Sequence, residues 1–67
     1  MKLVVNKKRC QLNEGITLLD LIRMQDAPLN EPEGVLCVVN GRIWRMPYEQ
    51  VLCEGDEVRI MVIPAGG

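Results

Sequence analysis

Five consecutive apolar residues, Val35-Leu36-Cys37-Val38-Val39, run straight into Asn40-Gly41, the dipeptide that best tolerates the positive backbone angles of a two-residue hairpin turn. A strand that must reverse so tightly commits the chain to an antiparallel ladder, with Arg42-Ile43-Trp44 as its short return. The chain opens in the same way. Leu3-Val4-Val5, then Asn6-Lys7-Lys8, then Arg9-Cys10-Gln11-Leu12 reads as two short strands joined by a tight turn. After a Pro47-containing turn and Val51-Leu52, Glu54-Gly55-Asp56 makes another turn, and Glu57 to Ile63 alternates as a last strand. Pro64-Ala65-Gly66-Gly67 follows as a flexible tail.

Only one segment between the two hairpins has helical spacing. Thr17 can cap it, and Asp20 three residues on can return the bond as a shortened capping box, with Ile16 and Leu21 at the staple positions. Leu18, Leu21 and Ile22 share one face while Asp20 and Arg23 point away. The pattern predicts a helix of about three turns, limited by Pro28. The segment 26–34 holds two prolines, three acidic residues and little that is apolar, so it reads as a loop back to the sheet. One helix against one sheet defines an α+β roll over residues 1–63, with 64–67 as the tail.

A chain of 67 residues buries only about 60% of its unfolded surface. That leaves no room for a large enclosed active site. Histidine is absent, which removes the commonest general base and the commonest neutral metal ligand together. Cys10, Cys37 and Cys53 lie too far apart to form a Cys-x-x-Cys pair, so zinc ribbons, redox dithiols and iron-sulfur loops are disfavoured. Three thiols without a secretory leader indicate a reducing compartment, and apolar runs of about five residues fall far short of a membrane span. The expected location is cytoplasmic. Cys37 and Cys10 read as small core residues; Cys53 is the one that could be exposed, although the neighbouring carboxylate of Glu54 argues against reactivity. A net charge of −1 supplies no basic field for nucleic acid or anionic lipid, so Trp44, Arg45 and Tyr48 read as packing residues. Glu14, Asp56 and Glu57 read as solvated turn residues.

The most informative feature is Gly66-Gly67. Lacking side chains, the two glycines let an extended tail enter a narrow channel in a partner enzyme. The reacting group is then the Gly67 carboxylate, ionised at neutral pH and able to attack the α-phosphate of ATP. The resulting acyl adenylate is an electrophile for sulfur or nitrogen. Taken with Asn40-Gly41 after a buried strand and Gly55-Asp56-Glu57-Val58 leading into the last one, the whole chain resembles the ThiS/MoaD-type ubiquitin-like sulfur carrier family. Its length and the brief segment after Asn40-Gly41 are more like the thiamine-thiazole carriers than the longer molybdopterin carriers. It departs from the former in that Arg45-Met46-Pro47 comes later than the usual Pro-Arg step.

The resemblance implies a β-grasp roll with a mixed sheet of four to five strands and the last strand inserted between the first and third. It also implies a protein that is a co-substrate and not an enzyme. An E1-like adenylating enzyme would activate Gly67 with ATP, a cysteine desulfurase or other sulfur donor would supply sulfur, and the thiocarboxylate would pass to a thiazole synthase. No cofactor would be bound, the ATP being used by the partner. A ubiquitin-like modifier joined to lysine through Gly67, or a carrier for molybdopterin or another thio-metabolite, would share the activation step. An electron carrier is disfavoured, because a plant-type cluster needs four closely spaced cysteines.

Parity supplies the docking surface. If Arg59 faces water, Val58, Ile60 and Val62 face the helix while Met61 and Ile63 point outward. The same alternation turns Leu36, Val38 and Val4 outward, and the implied strand order would make these five neighbours. A one-helix roll has nothing of its own to cover them, and contiguous apolar patches mark binding surfaces.

Overall fold

The computed structural model describes residues 1–64; Ala65, Gly66 and Gly67 lie outside the described residues. Five strands form one sheet: β1 (Lys2–Val5), β2 (Lys8–Gln11), β3 (Val35–Val39), β4 (Arg42–Trp44) and β5 (Glu57–Val62). Their spatial order is β2-β1-β5-β3-β4, so the last strand lies between the first and the third. β5 runs parallel to β1 and antiparallel to β3, and both flanking pairs are hairpins. The implied mixed sheet with one helix is therefore present.

Both hairpins turn on two residues. Asn6 and Lys7 have φ of 48° and 69°, and Asn40 and Gly41 have 52° and 81°, the paired positive angles of a type I′ turn. A two-residue loop fixes the register outright, giving Val5↔Lys8 in one hairpin and Val39↔Arg42 in the other.

The helix α1 (Leu18–Arg23) starts as its residues dictate. The Asp20 backbone N–H donates to Thr17 Oγ1 and the Thr17 N–H donates to Asp20 Oδ2, each at 3.1 Å, which satisfies two donors that the first turn leaves free. These backbone and side-chain bonds with Thr17 hold the Asp20 carboxyl below its ordinary range. The helix is only six residues long, not the three turns its pattern predicts. It tightens at once, with Met24 and Gln25 N–H donating three residues back to Leu21 and Ile22. The Gln25 side chain then takes the Leu21 carbonyl at 2.9 Å. The loop that follows contains a 3-10 turn at Pro32–Gly34.

Leu18, Leu21 and Ile22 pack onto the inner face of the sheet with Leu3, Val5, Val35, Cys37, Val39, Val58 and Ile60. Tyr48 and Leu52 complete this core from the segment before β5, and Trp44 packs against it half-buried. That segment also holds the helix entrance: Leu18 N–H donates to the Gln50 carbonyl at 3.0 Å and Leu19 N–H to that of Tyr48 at 2.7 Å. Val51 forms an isolated bridge with Thr17, and Leu52 N–H donates to Ile16.

Val62 keeps its inward parity but not the expected place under the helix. It stands beside the buried Val35, yet it is 46% exposed and not packed under the helix. A six-residue helix is about 9 Å long and a six-residue strand about 20 Å, so α1 is too short to cover the whole of β5.

Candidate functional site: the exposed sheet face and the base of the tail

The start of β5 is fastened by side chains that the turns supply. The Asp56 carboxylate, only 9% exposed, accepts from the Cys53 N–H at 2.7 Å through one oxygen and from Asn40 Nδ2 at 2.8 Å through the other. Asn40 Oδ1 accepts from the Glu57 N–H at 2.9 Å, and the Asn40 N–H donates to the Glu57 carbonyl at 2.8 Å. Asp56 is thus a buried fastener and not a solvated turn residue, whereas Glu14 and Glu57 are exposed. Acidic residues beside glycine in a turn carry no local mark of such a role; the partner, Asn40, is 16 residues away. Asn6 does the corresponding job across β1 and β5, its Oδ1 accepting from Ile60 N–H at 2.8 Å and its Nδ2 donating to the Ile60 carbonyl at 3.2 Å. Here a turn asparagine pairs like an extra strand residue.

The other end of β5 leads to the tail. Ile63 N–H donates to the Gly34 carbonyl at 2.9 Å, one residue beyond the strand, and Pro64 has no N–H with which to continue. Gly66 and Gly67, the expected reactive positions, lie outside the described residues.

On the outer face Leu36 stands opposite Met61, and Val38 lies between Arg59 on β5 and Ile43 on β4. Leu36 and Met61 are 37% and 39% exposed, Val38 is half-buried, and Ile63 continues the row beyond β5. Four of the five expected neighbours are therefore together. Val4, half-buried, is not among them: its cross-strand partners are Arg9 and Glu57, because β1 pairs with the start of β5, about four residues from Met61 along that strand. Its place in the patch is taken by Ile43, which is 54% exposed. The sequence reading missed Ile43, although the two-residue turn alone sets it opposite Val38.

A net charge of −1 conceals a separation. Lys2, Lys7, Lys8, Arg9, Arg42 and Arg59 lie on the strands and their turns, with Arg45 just after β4. Residues 13–34, on the helix side, carry Glu14, Asp20, Asp26, Glu31 and Glu33 against Arg23 alone. By register the basic side chains are divided between the faces: Lys2, Arg9 and Arg59 share the side of Val4 and Val38, where Glu57 also lies, while Lys8 and Arg42 pair with the inward Val5 and Val39.

The three thiols differ in access. Cys37 is fully buried, and burial pushes its thiol up to about 11. Burial also raises the Tyr48 phenol, and the adjacent Cys37 adds to the effect; its hydroxyl donates to the Val35 carbonyl at 3.1 Å. Cys10 is half-buried and Cys53 exposed. No cluster of Cys, Asp or Glu among the described residues is placed to hold a metal ion, and none of the described helices is long and apolar enough to cross a membrane.

Sheet order and a short helix on one face of the sheet define a β-grasp protein. The fold is similar to the crystal structure of the thiamine biosynthesis protein (ThiS) from Geobacter metallireducens, at a TM-score of 0.75 and 23% identity over 100% of both chains. The model of the ThiS family matches residues 2–67, and the chain belongs to that family, whose members are small carrier proteins and not enzymes. No curated protein matches the chain.

Proposed function

We propose that this chain carries sulfur as a thiocarboxylate on Gly67, most directly for the thiazole ring of thiamine. The observation that carries this reading is the family match, which extends through Gly66 and Gly67. In the first step a carboxylate oxygen of Gly67 bonds to the α-phosphorus of ATP within an E1-like adenylating enzyme, and pyrophosphate leaves. The terminal sulfur of a cysteine desulfurase persulfide then attacks the acyl carbon and AMP leaves. A further thiol attacks the desulfurase sulfur of the resulting acyl disulfide, so that the S–S bond breaks, the two thiols leave as a disulfide and the thiocarboxylate is released; a hydrosulfide donor would give the thiocarboxylate directly. The thiocarboxylate passes its sulfur to a thiazole synthase, all within the cytoplasm. Gly66 acts by bulk alone, since any side chain there would widen a tail that must thread a narrow channel. The neighbour from Geobacter metallireducens, titled a thiamine biosynthesis protein, supports the choice of pathway.

Leu36, Val38, Met61 and Ile63, with Ile43, form the face that docks the adenylating enzyme, and Ile63 joins that face to the tail. Val4 would contribute only at its margin. Replacing Met61 by Asp weakens the complex measured by calorimetry and leaves the fold intact; unchanged affinity removes the docking assignment. One residue added after Gly67 abolishes adenylation, read as pyrophosphate release, with stability near unchanged because no packed contact is lost. Normal turnover of the extended chain would refute the assignment of the reacting group.

A further inference from the structure

Asn40-Gly41 is the one Asn-Gly step in the chain, and it is chemically special because Gly41 has no side chain to shield its backbone nitrogen. That nitrogen can bond to Asn40 Cγ while the Cγ–Nδ2 bond breaks. The side-chain nitrogen leaves as ammonia with the proton from Gly41, and water then opens the cyclic imide to aspartate or isoaspartate. No oxidant, reductant or enzyme is needed. Both residues are exposed, so water is at hand.

In the folded chain the carboxamide is held from both sides. Nδ2 donates to Asp56 Oδ1 at 2.8 Å and Oδ1 accepts from the Glu57 N–H at 2.9 Å. Asp56 is itself fixed by the Cys53 N–H at 2.7 Å and is 9% exposed. Turning Cγ toward the Gly41 nitrogen breaks both bonds, one of them to a charged acceptor, which is the stronger kind. We infer that Asn40 is a latent self-modification site, kept unreactive by Asp56 and converted whenever this fastening opens.

Conversion is not neutral for the fold. Aspartate at this position sets a second carboxylate where Nδ2 now donates to Asp56, so a bond becomes a like-charge contact. Isoaspartate adds a methylene to the main chain of a two-residue turn, which disturbs the β3–β4 register and the bond from Asn40 N–H to Glu57. Either product releases the start of β5, so a chain that has opened once is marked. Asn6-Lys7 is an internal control: its turn has the same positive angles and its side chain is also held twice, by Ile60, but Lys7 shields the attacking nitrogen.

The full chain is incubated at mildly alkaline pH in buffer, in a series of urea concentrations, and as Asp56→Ala, with peptide masses and isoaspartate separation reading each asparagine. Conversion of Asn40 in the folded wild type is expected to be at least about tenfold slower than in full urea, the factor that one hydrogen bond to a charged group supplies. Folded Asp56→Ala should convert faster than wild type, while Asn6 stays intact in both. Equal rates in folded and unfolded wild type, or folded Asp56→Ala as slow as wild type, would overturn the inference. If Asp56→Ala does not fold, the wild-type urea series decides. A rate that rises in step with hydrogen exchange of the Glu57 amide supports the inference, and a rate indifferent to urea refutes it.

Discussion

The two ends of β5 differ as sharply as two regions of one strand can. At the start, Val58 and Ile60 are buried, β1 and β3 pair on both sides, and Asn6, Asn40 and Asp56 add side-chain bonds to the backbone ladder. At the end, Met61, Val62 and Ile63 are exposed, and beyond the strand the Ile63 N–H bond to Gly34 is the last one described before Pro64. Burial and side-chain bonds are concentrated where the strand begins and are sparse where it ends. The function proposed above uses both: a fixed base, and a face open to the proposed partners.

Isoleucines three residues apart break or sharpen that contrast. Ile60→Ala should cost about 2–5 kcal/mol by urea unfolding, since it empties a packed site. Ile63→Ala should stay within about 0.5 kcal/mol, as for surface substitutions generally. Comparable losses at both positions would erase the distinction between the two ends. Asp56→Ala comes next. It strands the Cys53 N–H and the Asn40 carboxamide, for about 2 kcal/mol, and a loss no larger than that of Ile63→Ala would show the fastening to be idle.

A smaller effect belongs to pH. The Cys37 thiol, at about 11 in the folded chain against an ordinary 9.0, keeps its proton where the unfolded chain has released it. The Tyr48 phenol is raised in the same sense. Their contribution to stability is therefore complete below about pH 9 and is lost as pH climbs toward 11. Cys37→Ala, although less stable overall, should show a shallower decline over that range; an unchanged slope would assign the decline elsewhere. The smallest effect is at Asp20, whose lowered carboxyl makes the helix cap strongest above the carboxylate range and weakens it on acidification. Asp20→Asn should remove that acid dependence.

What the sequence made legible follows the range of the physics. Asn6-Lys7, Asn40-Gly41 and the Thr17–Asp20 box are settled by residues within three or four positions, and each forms as its local chemistry requires. Parity also survived, because alternation is a property of the strand alone. The losses came where a distant element decides. Helix length governed the exposure of Val62, the stagger of β1 against β5 removed Val4 from the patch, and Asp56 found its partner across the fold. The strand order itself came from the family resemblance and not from any local signal. Gly66 and Gly67 lie outside the described residues, and their role stands as the proposal made above.

Intact mass spectrometry of the purified chain, incubated with ATP, its adenylating enzyme and a sulfur donor, tests the central claim most directly. The account predicts a product heavier by the difference between one sulfur and one oxygen atom, with the change confined to the peptide that ends in Gly67. A chain that returns unmodified, or that appears only as isopeptide conjugates to lysine, would contradict it.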